Sequence, residues 1–341
     1  MRTPAYLSPT AISKWQTDRD EFYLTYLAEE RPPRIGQTQP MSIGSAFDAR
    51  VKSHLHYNLF GNYGPGDQFE FDNIFEAQVE PHNRDWALPN SQHVFDSYVN
   101  SGALADLMIE LSEAIQDPRF EFTVEARISH EAHVGEVVLL GKPDLHYVAK
   151  TGHHCLGDWK VNGYCSNYPL SPKPNYVNVR DGWSSKVGPA TRTSNAPHKN
   201  AQVMRVGNVD LNIACYLEDI DTTWAQQLCI YGWVLGEPIG SDFIVGIEQI
   251  VNTGKKNNDL PLLRIATFRN RIAAEFQHRL FRTVSDIWRR IHAGPEHIFD
   301  DLSEEASAER CATLDNFHKA YQGDSPNDQW FQSVTREHRN Y

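Results

Sequence analysis

The chain has few cysteines, and none are spaced to share a metal. Cys155, Cys165, Cys215, Cys229 and Cys311 are an odd number without a C-x-x-C pair, which indicates neither a disulfide framework nor a structural zinc site. No apolar run approaches the ~20 residues of a membrane-spanning helix. The N-terminal stretch Met1 to Ser8 lacks the apolar core of a secretory signal, so a reducing cytoplasm is the expected compartment. There is no G-x-x-x-x-G-K-[ST] loop, because Gly254-Lys255-Lys256 lacks the first glycine, and ATP is therefore not an expected cofactor. Overall positive charge is missing too: the net charge of -12 argues mildly against nucleic acid as a partner.

What is present is a soluble globular composition, 40% hydrophobic and 22% charged over 341 residues, long enough for one domain with insertions or for two domains. Two stretches in its middle carry chemistry. Gly141-Lys142-Pro143-Asp144-Leu145 and Leu156-Gly157-Asp158-Trp159-Lys160-Val161 both have strand character. Strand side chains alternate faces, so Asp158 and Lys160 point the same way, and a hairpin brings Asp144 to them. Two carboxylates beside one ammonium suit a divalent metal and an activated water, and hence phosphodiester hydrolysis. Chance alone would supply about 1.4 acid-x-Lys triplets in a chain of this composition, and this chain has one. The context, an earlier Pro-Asp at hairpin distance, is what gives it weight.

Net charge hides a local distribution. Residues 161–209 hold Lys173, Arg180, Lys186, Arg192, Lys199 and Arg205 against one acid, Asp181. Tyr164, Tyr168, Tyr176 and Trp183 are interleaved with them. Cations alternating with aromatics suit a phosphate backbone and stacked bases, so Lys173, Arg180, Trp183, Lys186 and Arg192 are candidate DNA contacts.

Periodicity predicts a helix from Ser8-Pro9 to before Pro32, and a second from Ser42 with Ile43, Phe47, Val51, Leu55 and Leu59 on one stripe. Residues 61–90 look loop-rich with one short helix, and a further helix is expected over 91–116, ended by Asp117-Pro118. Strands follow at 120–128, 134–148 and 153–161. Beyond the basic stretch come a helix at 222–236, strands at 242–251 and 262–268, and a long helix at 270–292. The last fifty residues are acidic and weakly patterned, a peripheral helix and a loose tail.

This order, with acids on the second and third strands, resembles the PD-(D/E)XK nuclease superfamily in its RecB-like and phage recombination exonuclease branch. The resemblance covers roughly residues 8–290. It rests on Pro143-Asp144, Asp158-Trp159-Lys160, Ser8-Pro9-Thr10-Ala11-Ile12, Gly44-Ser45-Ala46-Phe47-Asp48, Glu125 on the first strand, and Gln227-Leu228-Cys229-Ile230-Tyr231 as a Q-x-x-x-Y motif. It implies an α/β (α+β) fold with a restriction-endonuclease-like core: a central mixed sheet flanked by helices, a helical N-terminal part at 8–117 and an insertion at 161–220. The nuclease domain would span 1–292, with 293–341 as an acidic extension.

The resemblance also implies roles. Asp144, Asp158 and the Trp159 carbonyl would hold Mg²⁺, with Mn²⁺ able to substitute and a second ion bridged by Asp144. Asp48 stands where this branch often has a histidine ligand. Lys160 would orient or deprotonate the water, while Glu125, Gln227 and Tyr231 support the site. No iron–sulfur cluster is expected, since the stretch Asp18 to Tyr23 lacks the cysteine of cluster-bearing relatives. The implied activity is exonucleolytic cleavage at DNA ends in a bacterial or phage-infected cell, with a single-strand annealing or recombination protein and a homo-oligomer as implied partners. An endonuclease on the same core, or a non-catalytic DNA-binding accessory protein, are the rival readings.

Overall fold

The computed structural model of the chain describes residues 1–30, 35–61, 67–120, 124–129, 136–182, 196–257 and 259–321. They fall into two compact units, Ile35–Thr283 and Met1–Arg34 with Val284–Tyr341. In the smaller unit the Ser8 hydroxyl caps α1 (Pro9–Thr17) by accepting from the Ala11 N–H, and Pro9 opens the first turn. After α2 (Arg19–Phe22) and a π-helical turn (Tyr23–Leu27), the two ends of the chain are tied together. Arg19 donates to the Ile298 carbonyl and pairs with Asp300 at 3.2 Å, and the Tyr23 hydroxyl donates to Asp315 at 2.9 Å. These ties move the domain boundary. The first 34 residues group with the C-terminal segment, rather than with the sheet that carries Asp144 and Asp158.

The larger unit begins with α3 (Gln39–Phe60), α4 (Phe71–Gln78), α5 (Pro81–Ser101) and α6 (Ala103–Ser112). Here the expected loop over 61–90 and helix over 91–116 are corrected. Helix α5 starts ten residues earlier than expected and runs through Pro89. Ala87, Val94 and Tyr98 are buried along it, and this packing outweighs the ~3 kcal/mol that an interior proline costs. Gly102, at φ 84°, then breaks the helix before α6.

The strands are β1 (Gln116–Phe120), β2 (Val124–Ile128), β3 (Val137–Gly141), β4 (Leu145–Val148), β5 (His154–Asn162), β6 (Asn178–Asp181), β7 (Val203–Val206) and β8 (Val209–Asn212). Helices α7 (Leu217–Ile220) and α8 (Thr222–Val234) come next, then β9 (Ile244–Asn257), β10 (Leu260–Asn270) and α9 (Ala274–Ala293). The last helix, α10 (Glu304–Tyr321), belongs to the smaller unit.

The central sheet is mixed, in the order β1-β4-β5-β9-β10-β6, and helices flank it. Strand β5 pairs antiparallel with β4 and parallel with β9. Pro118 sits on the edge strand β1, where its missing N–H costs no ladder bond, instead of ending a helix. The expected strand over 134–148 is two strands joined by Lys142-Pro143-Asp144. The expected insertion is partly woven into the sheet, since β6 pairs with β10 and Val177 is buried. The apolar core holds Phe47, Val51 and Leu55 of α3 with Tyr98, Leu145, Trp159 and Ile250.

No helix among the described residues is long and apolar enough to cross a membrane.

Candidate active site

A tight turn aligns the two acids. The Ala149 N–H donates to His153 at 2.9 Å and the Gly152 N–H to Ala149 at 2.8 Å, with Gly152 at φ 83°, where an L side chain would be strained. The resulting hairpin sets Leu145 opposite Gly157, so Asp144 and Asp158, the next residues outward on each chain, become neighbours. Each acid acts on the other's proton equilibrium, and Asp144 raises the pKa of Asp158. Alternation then brings Lys160 to the face of Asp158, and its ammonium pairs with Asp158 Oδ2 at 2.7 Å.

Helix α8 supplies the next layer. Asp221 caps it by accepting from the Thr223 and Trp224 N–H groups, and fixes where its first turns fall. Gln227 then bridges the site: its Oε1 accepts from Lys160 at 2.9 Å, and its Nε2 donates to Asp158 at 3.0 Å and to the Tyr231 hydroxyl at 3.0 Å. Helix α8 packs closely on β3 where Gly141 lacks a side chain. A Cβ there would lie 2.7 Å from Val234 and 3.0 Å from Tyr231.

A residue outside the sequence-derived set completes the cluster. Lys52, one turn beyond Asp48 on α3, pairs with Asp48 at 2.6 Å and with Asp144 at 3.2 Å, and its side chain is 1% exposed. Asp48 is thus linked to Asp144 through an ammonium. Sequence shows Lys52 only as a lysine four residues after Asp48, with nothing to link it to Asp144. Asp221 was missed as well; its second oxygen pairs with Lys173 at 3.2 Å.

Charge explains the protonation of the pair. Burial pushes Asp158 up to about 7, Asp144 adds to the rise, and the Lys160 ammonium opposes it. Burial also works against an ionised Asp144, but Lys52 and Lys160 outweigh it and hold that carboxyl below its ordinary range. Partial burial opposes the charge of Lys160, yet Asp158 and Asp144 raise its pKa and keep it charged. Tyr231 is raised by burial, then by both acids, and stays a neutral phenol. An acid pair that retains a proton near neutrality is one that a hard divalent cation can compensate, and Asp144, Asp158 and the Trp159 carbonyl are hard oxygen donors suited to Mg²⁺ or Mn²⁺. Among the described residues no three His, Cys, Asp or Glu side chains group as a metal-ligand set, and Asp48 meets Asp144 through the Lys52 ammonium.

The other candidates are placed differently. Glu125 is exposed on β2 opposite Leu140, and makes no hydrogen bond or ion pair among the described residues. Arg180 is drawn inward: it pairs with Asp106 and donates to the Ser101 carbonyl at 3.3 Å, which commits it to holding β6 rather than to a ligand. Lys173 is exposed near Asp221. Trp183, Lys186 and Arg192 lie outside the described residues.

No family model matches the chain. No curated protein matches it. A solved structure described as "Crystal structure of SSO0001" aligns over 94% of this chain and 89% of that one, at 10% identity and a TM-score of 0.22, a likeness too slight to argue from.

Proposed function

We propose that the chain is a metal-dependent deoxyribonuclease of the PD-(D/E)XK type, in the RecB-like and phage recombination exonuclease branch, hydrolysing phosphodiester bonds at DNA ends. The observation that carries this reading is Asp144 beside Asp158, with Lys160 on the same face and Gln227 joining that lysine to Tyr231. The mixed sheet, with the acids on the β4–β5 hairpin and a parallel β5–β9 pair, supports a restriction-endonuclease-like core.

Asp144, Asp158 and the Trp159 carbonyl would hold Mg²⁺ or Mn²⁺, which when bound supplies Lewis acidity to the scissile phosphate and acidifies water. Lys160 contributes charge. Its raised pKa keeps the ammonium protonated, so it orients the attacking water and offsets the extra negative charge of the phosphate in the transition state, and does not itself accept the proton. Gln227 fixes that ammonium by accepting from it. Tyr231, held by Gln227, fixes the amide in turn. Lys173, about half exposed beside the Asp221 that caps α8, is a described cation that could meet the DNA backbone.

The test is digestion of end-labelled linear duplex, single-stranded and closed circular DNA with Mg²⁺. Linear DNA should be degraded and closed circles spared. Asp158→Asn and Lys160→Met should each lose at least about a thousandfold in rate, or about 4 kcal/mol of transition-state stabilisation. Cleavage of circles would make the protein an endonuclease on the same core. Near-wild-type cleavage by either variant would overturn the site assignment.

A further inference from the structure

Lys52 is an unusual residue to find where it is. Its ammonium lies 2.6 Å from Asp48 and 3.2 Å from Asp144, with the side chain almost wholly buried. A buried ammonium persists only when paired, and here two carboxylates on different elements converge on it. That is the arrangement a bridging cation would have. A divalent ion shared by Asp48 and Asp144 would have to displace it, and a second ion on Asp144 would sit beside a fixed positive charge, where short-range repulsion is strong. The two-ion arrangement, in which ions ~3.5–4 Å apart clamp the reacting oxygens, is therefore disfavoured by this chain's own side chains.

We infer that Lys52 is a built-in cation occupying the Asp48–Asp144 side of the site, so that the chain binds one divalent ion, on the Asp144–Asp158 side. Asp48 then acts as a positioning residue that holds Lys52, and not as a metal ligand. The inference rests on the nuclease reading only in taking a divalent ion as the ligand of Asp144 and Asp158. It replaces the expectation of a second ion bridged by Asp144, and assigns the charge of that ion to a side chain that needs no loading.

The experiment is Mn²⁺ titration of the full chain without DNA, counting bound ions by the loss of the free-ion paramagnetic resonance signal. Wild type should bind one ion, and Lys52→Arg should also bind one. Lys52→Met should bind two, because the ammonium between Asp48 and Asp144 is gone. The double variant Asp48→Asn/Lys52→Met should return to one. Asp48→Asn alone should keep one ion, with affinity within about threefold of wild type. Two ions on wild type, a folded Lys52→Met that binds only one, or a tenfold weaker first ion in Asp48→Asn would each overturn the inference. If circular dichroism shows Lys52→Met unfolded, the Asp48→Asn titration decides alone. Wild type binding no Mn²⁺ would sink the nuclease reading and this inference with it, whereas two ions on wild type would sink the inference alone.

Discussion

Two charge clusters lie where helices meet the central sheet, and each carries one more acid than base. In the first, Asp48, Asp144 and Asp158 face Lys52 and Lys160. In the second, Glu110 and Glu248 face Arg269, at 3.2 and 2.7 Å. The second is closed. Tyr147 donates to Glu110 at 2.8 Å, Thr267 donates to Glu248 at 2.9 Å, and the Arg269 and Glu248 side chains are each only 6% exposed. Its surplus charge is met by burial, which raises the pKa of Glu248 and favours retention of a proton there. The first cluster is open, with the side chains of Asp144 and Lys160 each 23% exposed. An equal imbalance thus has two outcomes. Sealed from water it is structural, and opened to water it can recruit a cation. Charge alone would not separate the clusters; exposure to water does.

The largest effect that tests this contrast is on stability. Arg269→Met strands two buried glutamates, and should cost about 3–5 kcal/mol, read from chemical denaturation. Asp158→Asn strands no charge of like depth and should cost far less. A small loss for Arg269→Met would mean that the closed cluster is also hydrated and could also bind a cation, and the distinction by access would collapse.

The next effect is the pH dependence of the open cluster in metal-free buffer. The folded pKa of Asp158, about 7, lies above its unfolded value near 3.9, so between those values the folded state holds a proton that the unfolded chain has released. This contribution favours folding most below pH 4, declines as pH rises to 7, and is flat above. Asparagine does not titrate. The stability of Asp158→Asn relative to wild type should therefore rise between pH 4 and 7, with a ceiling of ~4 kcal/mol, and then level off. Parallel curves for the two proteins would show Asp158 ionised throughout, and remove the proton that makes this pair receptive to a cation.

How much of this was legible in the sequence depends on the range of the interaction that decides it. The β4–β5 hairpin and the shared face of Asp158 and Lys160 follow from period-2 alternation and a short turn, so local sequence sufficed. Gln227 and Tyr231 share a helical face for the same local reason. Lys52 was harder, because its partner Asp144 lies 92 residues away, and a lysine near Asp48 says nothing of that. Residues 61–90 look loop-rich from local composition, and α5 forms there because it packs against α3. The smaller unit was hidden for a similar reason. The ties Arg19–Asp300 and Tyr23–Asp315 join the two ends of the chain, and neither end announces the other.

The smallest effect separates two cations of one basic stretch that sequence alone treats as equals. Arg180 is held by Asp106 and the Ser101 carbonyl, and anchors β6 to the sheet edge; Lys173 is about half exposed and, among the described residues, paired with Asp221. A phosphate contact releases counterions, so losing one lowers the slope of log affinity against log salt by roughly 0.7 to 0.9. Lys173→Ala should show that drop in DNA binding measured with Ca²⁺ in place of Mg²⁺, with stability changed by under about 0.5 kcal/mol. Arg180→Ala should leave the slope alone and cost about 1 kcal/mol of stability, since its ion pair is partly solvated and a carbonyl bond is lost with it. The reverse pattern would place the DNA path along β6 and make Lys173 a surface residue whose partner, Asp221, serves only to cap α8.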